Sequence, residues 1–257
     1  MKQGCVTLVG AGPGDPELLT LKALKAIEQA DVLLIDDLVN PEILAYKAAS
    51  ARVIRVGKRG ACPSTPQDFI ERLMIAEARA GRNVVRLKGG DPYLFGRGGE
   101  ERAHLRAHGI TVGVVPGISS GLAAPASLGV PLTHRHWSQG AVFVTGHGKD
   151  AASEPNWAAL AQCKLTLVIY MGVARCDAIQ ASLLAGGAAA STPVAVVQSA
   201  SRVGQRQLLT TLGELPAALR RSGLCSPSII VIGDVVRCAD DWRELSDLAQ
   251  APAAGGA

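Results

Sequence analysis

Charge is scarce in this chain: Asp, Glu, Lys and Arg together make up 19% of its 257 residues, and the net charge is +4. A balance this weak excludes the dense basic footprint of a nucleic-acid-binding domain. Long apolar runs are also missing. Although 48% of residues are hydrophobic, no stretch reaches the length needed to cross a bilayer. Paired cysteines are absent too: Cys5, Cys62, Cys163, Cys176, Cys225 and Cys238 include no C-x-x-C spacing and no histidine at metal-ligand distance. That pattern speaks against a metal site and for buried thiols in a reducing cytoplasm. The first residues, Met1-Lys2-Gln3-Gly4, run directly into a β-rich segment, so no signal peptide is expected.

What remains is an apolar chain with enough core for one large domain or two small ones. Short β-rich runs alternate with helical stretches. Strands are expected at Val6–Val9, Val32–Ile35, Val53–Val56, Val84–Leu87 and Val112–Val115. Helices are expected at Glu17–Gln29, Pro41–Lys47, Pro66–Ala80 and Arg97–Ala107. Leu18, Leu21, Leu24 and Ile27 form the apolar stripe of the first helix. Val32–Ile35 is apolar throughout, as a strand covered on both faces should be. Asp15-Pro16, Asn40-Pro41 and Thr65-Pro66 each set a capping side chain before a proline. Strand and helix in alternation imply a parallel sheet with helices on its faces.

The pattern changes at "VPGISSGLAAPASLGVPLTHRHW", which is rich in small residues and holds one helix at Ser119–Ser127. This is the expected passage between two domains. Strands resume at Ala141–Thr145, Leu165–Tyr170, Val194–Gln198, Gln207–Thr211 and Ile229–Ile232, with helices at Asn156–Ala161, Arg175–Ala185 and Glu214–Arg221. Hairpin character near Ser201–Thr211 makes the second sheet mixed. The expected division is an N-terminal α/β domain over 1–116, a passage over 117–139, a C-terminal α/β domain over 140–248 and a frayed tail over 249–257.

The glycines carry the functional signal. Gly10-Ala11-Gly12-Pro13-Gly14 lies between a strand and a helix, and "RLKGGDPYLFGRGGEE" packs five glycines into sixteen residues. Glycine allows sharp turns and close approach of the backbone to a ligand. A dinucleotide-binding G-x-G-x-x-G is not complete, because Asp15 stands at its last position, where it would repel a pyrophosphate. The common methyltransferase loop is not matched either, since Leu8 stands where an acid is usual. Lys58, Arg59, Arg86, Lys88, Arg97, Arg102, Arg106 and Arg135 gather around the glycine-rich segments. They form either a solvated surface or a site for an acidic small molecule.

"VGAGPGDPELLTLKA", "ADVLLIDDLV", "VGKR", "RLKGGDPYLFGRGGEE", "VPGISSG", "PLTHR", "VTGH" and "YMG" occur in that order. Together they closely resemble the tetrapyrrole (corrin/porphyrin) methyltransferase family, and "KGGDPYLFGRGGEE" is most similar to its members acting on uroporphyrinogen III. The resemblance spans Thr7 to Arg237. It implies two α/β domains with S-adenosylmethionine in the cleft between them, S-adenosylhomocysteine as its product, no metal, and a cytoplasmic homodimer. It further implies methylation of uroporphyrinogen III at two ring positions to give precorrin-2, on the branch toward cobalamin and sirohaem. A methylase of a later corrin intermediate, or a catalytically silent binding protein on the same scaffold, is the alternative.

Residue by residue, the resemblance makes Pro13, Gly89, Gly90, Asp91, Leu94, Ser119, Ser120, Met171, Ala200 and Ser228 cofactor contacts. Ala200 and Ser228 replace a usual glycine and a usual alanine. Met171 would lay its thioether on the adenine or else fill core. Arg97 and Arg135 are implied substrate contacts. Arg97 pairs either with a substrate carboxylate or with Glu100 or Glu101. Asp36, as proton acceptor, and Lys58, as proton donor, form the implied acid–base pair; the alternative is an ion pair that only fixes the loops. Asp37 would take the place of Asp36 if the register shifted by one. His136 stands where relatives often have an acid.

Overall fold

The computed structural model describes residues 4–57, 65–147 and 154–242. Lys58, Arg59, Cys62 and the tail from Ala249 lie outside the described residues. The chain divides into two compact units, 1–120 and 121–257.

The first unit is built on five parallel strands: β1 (Cys5–Gly10), β2 (Val32–Ile35), β3 (Arg52–Arg55), β4 (Val84–Lys88) and β5 (Thr111–Val115), in the order β3-β2-β4-β1-β5. Period-two alternation sends successive side chains to opposite faces. Leu33, Ile35, Val85 and Leu87 pack on one face with Ala23 and Ile27 of α1 (Leu21–Glu28). Val32, Leu34 and Val84 pack on the other with Ile70, Met74 and Ala78 of α2 (Gln67–Arg79) and Leu105 of α3 (Gly98–Ala107). The same alternation on β4 turns Arg86 and Lys88 toward α2 and α3.

The second unit has strands β6 (Ala141–Thr145), β7 (Thr166–Tyr170), β8 (Pro193–Gln198), β9 (Arg206–Thr211) and β10 (Ser228–Ile232), in the order β6-β7-β10-β8-β9. Only β6 and β7 pair in parallel; the others pair antiparallel. α5 (Trp157–Gln162), α6 (Cys176–Ala185) and α7 (Leu215–Ser222) cover one face, while α4 (Ser120–Ala126) and a 3-10 turn at Asp234–Cys238 supply the other. The expected fold class, two α/β parts with a parallel and then a mixed sheet, is what forms.

Four local expectations need correction. Glu17–Gln29 is not one helix. Thr20 is extended and its Oγ1 accepts the Ala23 amide at 3.1 Å, so a 3-10 turn at Pro16–Leu18 ends there and α1 begins afresh. The restart changes the helical phase: Ala23 and Ile27 face the core, and Leu21 is 77% exposed. Pro41–Tyr46 is 3-10 rather than α-helical. Asp15 and Asn40 cap as expected, but Thr65 does not. Pro66 keeps an extended ψ of 139° and is itself the cap, which leaves Thr65 one residue too early. The cysteines are not uniformly buried. Cys163, which ends α5, and Cys225, in the turn before β10, are exposed, Cys5 and Cys238 are half-buried, and Cys176 is buried. Burial pushes the Cys176 thiol up from its ordinary pKa, helped by neighbouring Asp177.

Candidate functional site

In a parallel sheet every strand delivers its carboxyl end to the same edge, where ligands of open α/β sheets bind. Here that edge carries Gly10, Asp36, Gly89, Gly90 and Gly117. The backbones touch. A Cβ on Gly117 would lie 2.3 Å from the Gly90 carbonyl oxygen, and one on Gly10 would lie 2.5 Å from the Gly117 nitrogen. Gly90 and Gly12 exchange two main-chain hydrogen bonds, Gly90 N–H to Gly12 O at 2.7 Å and Gly12 N–H to Gly90 O at 3.3 Å. Gly90 also has a φ of +67°, a region side chains resist.

Asp91 fastens this corner. Its Oδ2 accepts the Gly117 amide at 3.0 Å and its Oδ1 the Tyr93 amide at 2.8 Å. Pro13 is buried in the first loop, and Asn40 Nδ2 donates to the Gly14 carbonyl at 2.7 Å, which ties that loop to the one after β2. Ser119 is buried close to Gly90, and Ser120 opens α4. Pro13, Gly89, Gly90, Asp91 and Ser119 are therefore brought together on one edge.

The loop that follows turns back on itself. Phe95 and Arg97 have φ of 55° and 58°, and Gly96 and Gly98 pack so close to the Pro92 carbonyl that a Cβ on either would collide. Leu94 is half-buried, while Tyr93 and Phe95 are exposed. Arg97 caps α3, and its Nη2 donates to Glu100 Oε2 at 2.7 Å. That hydrogen bond raises the guanidinium pKa above its ordinary value. Of the two partners open to Arg97 within the chain, it takes Glu100.

Asp36 does not stand alone. Its Oδ1 accepts Arg86 Nη2 at 2.5 Å, and its Oδ2 lies 3.6 Å from Lys88 Nζ. Both cations also reach Glu101 Oε1, Arg86 Nε at 3.3 Å and Lys88 Nζ at 3.2 Å. Gln67 Nε2 donates to the same oxygen at 3.0 Å. Arg86, Lys88 and Glu101 are buried, and the Asp36 side chain is 28% exposed. Asp37 is separate: its carboxylate fills the space beside Gly57, where a Cβ would fall 1.9 Å from Oδ1. Asp36 is the acid joined to both cations of β4. Lys58 lies outside the described residues, so the strand-end partners seen for Asp36 are those from β4. The motif reading missed Glu101, Gln67 and the second task of Arg86 and Lys88. The available signal was a pair of cations at alternate positions in a strand expected to be buried.

The second unit has an edge of its own. β10 runs against β7 and β8, so its first residue meets their carboxyl ends. Met171 follows β7, Ala200 follows β8 and Ser228 begins β10. Met171 is 51% exposed and held at a φ of 54°. Left-handed backbone at a side-chain-bearing residue costs roughly 1–3 kcal/mol and collects at functional sites. Ser199 and Ser201, with φ of 52° and 60°, flank Ala200, whose methyl is buried in the core. Ser228 is buried, and its Oγ donates to the Cys225 carbonyl at 2.5 Å. Arg135 is exposed in a turn closed by two hydrogen bonds between the backbones of His134 and Ser138. His136, beside it, is exposed as well. Among the described residues, no three His, Cys, Asp or Glu side chains gather as a metal site would require, and no helix is long and apolar enough to cross a membrane.

The family model of Tetrapyrrole (Corrin/Porphyrin) Methylases matches residues 5–216. A uroporphyrinogen-III C-methyltransferase of Pseudomonas aeruginosa is 57% identical over 91% of this chain and 95% of its own. A siroheme synthase of Aeromonas salmonicida is 51% identical over 91% of this chain, which spans about half (48%) of that longer protein. Among solved structures, the uroporphyrin-III C-methyl transferase of Thermus thermophilus complexed with S-adenyl homocysteine is 40% identical, with a TM-score of 0.78, over 91% of this chain and 94% of that one. On the extent of the family match and of these identities, the chain belongs to the tetrapyrrole (corrin/porphyrin) methylases.

Proposed function

We propose that this chain transfers methyl groups from S-adenosylmethionine to carbon atoms of uroporphyrinogen III, at C2 and C7, giving precorrin-2 for sirohaem or cobalamin synthesis. The observation that carries the reading is the 57% identity to a uroporphyrinogen-III C-methyltransferase over nearly its whole length. The Thermus relative bound to S-adenyl homocysteine supports the cofactor. A cytoplasmic homodimer follows from the family resemblance.

The residues present fit such a cofactor. The edge of the first sheet is walled by glycine backbone, and a half-exposed thioether at Met171 is apt for a flat purine. Pro13, Gly89, Gly90, Asp91, Leu94, Ser119 and Ser120 would hold it from the first unit, and Met171, Ala200 and Ser228 from the second. The Asp91 carboxylate already bonds one amide of its own loop and one of the loop after β5, so its task is to shape the glycine wall. Ala200 and Ser228 would act through backbone, since their side chains point into the protein. When bound, S-adenosylmethionine supplies an already activated methyl group.

The chain's own residues then have three tasks. Gly89 and Gly90 fix where the ligand sits, and alignment of reacting atoms is the largest contribution open to this site. Arg97 and Arg135 meet carboxylates of the octa-anionic substrate; for Arg97 this means exchanging or sharing Glu100. For each methyl cation gained one net proton must leave; Asp36, held by Arg86 and Lys88, accepts it as the ring system rearranges, and any proton that Lys58 donates to one ring position is matched by a second lost from another. Proton transfer of this kind contributes about 10²–10⁴-fold.

The test is an anaerobic assay with uroporphyrinogen III and S-adenosylmethionine, read by mass spectrometry. A product carrying two added methyl groups is expected. Absence of any methyl gain, with the cofactor shown to bind, would overturn the reading.

A further inference from the structure

The four charges behind the glycine edge are more than loop anchors. Buried ion pairs seldom stabilise a protein better than apolar side chains of the same volume. Four charged side chains at the end of a parallel strand therefore call for another explanation. Their geometry supplies one. Arg86 and Lys88 each bridge the same two acids, Asp36 on one side and Glu101 on the other. Glu101 is fully buried, and all three of its hydrogen bonds converge on Oε1, while Oε2 has no partner among the described residues. A buried polar atom left unsatisfied is rare and asks for a reason. The carboxylate is placed for the two cations rather than for its own satisfaction.

We propose that Glu101 is a positioning residue for Asp36: it fixes Arg86 and Lys88 from behind, so that their remaining donors hold the Asp36 carboxylate in one orientation at the sheet edge. The inference rests on Asp36 being the proton acceptor. Glu101 supplies the second negative charge of the quartet, so Asp36 is not the sole counter-ion of two cations. Gln67, reaching over from α2, sets the rotamer of Glu101 and links the quartet to a second helix.

The test compares Glu101→Gln, Asp36→Asn and the double variant, with Glu77→Gln as a control. Glu77 is also a buried acid of the first unit, paired with Arg52 and Arg82 away from the proposed site. Glu101→Gln is expected to lower kcat roughly ten- to a hundredfold, while KM and cofactor affinity stay within about threefold, as misplacement of a reacting group would. The double variant is expected to be no slower than Asp36→Asn alone, because the two act as one unit. Glu77→Gln is expected to lower the melting temperature with kcat retained. If Glu101→Gln melts lower but keeps its kcat, or if the losses multiply in the double variant, Glu101 is structural and the inference falls. If Asp36→Asn keeps full kcat, the proton-acceptor reading fails first and takes this one with it. Should Glu101→Gln not fold, Glu101→Asp decides. It keeps the charge and displaces the carboxylate, so a kcat loss at unchanged KM supports positioning and an unchanged kcat overturns it.

Discussion

The two sheets have the same number of strands and differ in what they bury. Among the described residues, every buried charged side chain, Glu71, Glu77, Arg86, Lys88 and Glu101, lies in the first unit; the second buries only the hydroxyls of Ser138, Thr166 and Ser228 among polar side chains of its own. Strand direction accounts for part of this. Five parallel strands bring five carboxyl ends to one edge, where converging loops and helix starts can surround a charge on several sides. The mixed sheet sends strand ends both ways, and its edge is shaped by backbone at Met171, Ser199 and Ser201 instead. Among the described residues, the first unit buries charge beside its strand ends and the second buries none.

The sharpest way to break this contrast is Asp36→Asn. It should cut kcat by about 10²–10⁴-fold and leave the calorimetric affinity for S-adenosylmethionine nearly unchanged. Equal losses in both would move Asp36 out of the chemistry. Next comes Gly117→Ala, which forces a methyl against the Gly90 carbonyl. Overpacking of this kind costs about 1–3 kcal/mol, and thermal melting should fall by several degrees, at roughly 2–4 °C per kcal/mol for a protein of this size. A fully stable variant would mean that the three-glycine contact is looser than described. In the second unit, Met171→Gly should reverse the pattern. Relief of the left-handed strain raises stability by about 1 kcal/mol, while loss of the thioether weakens cofactor binding by up to about tenfold. The smallest effect is on thiol reactivity. Under native conditions Cys163 and Cys225 should alkylate within minutes while Cys176, buried and with its pKa raised, stays unmodified; peptide mass mapping would show the order.

The sequence was most legible where one force acts alone. Val32–Ile35 is apolar at every position because both of its faces are covered, so the parallel sheet could be read directly. It was least legible where two local signals compete. Thr20 interrupts an apolar stripe that otherwise suggests a single helix, because its hydroxyl caps a new one. Pro66 takes the capping role from Thr65 through its own ψ. Among the candidate site residues, Pro13, Gly89, Gly90, Asp91 and Ser119 meet on one edge. The quartet was hidden for a physical reason: Glu101 approaches Arg86 and Lys88 only when α3 packs on the sheet against β5 and α2, a contact set by tertiary packing rather than by spacing. Ala200 stands where the family usually has glycine, and its methyl is part of the core.

The junction of Gly10, Gly90 and Gly117 has a mechanical consequence. Three peptide planes rest on one another with no flexible side chain to act as a cushion. A displacement of one strand tip must pass to its neighbours almost undiminished. A ligand that nudges the loop after β4 would therefore also shift the tips of β1 and β5, and the rim of the first sheet would respond as a single stiff lip.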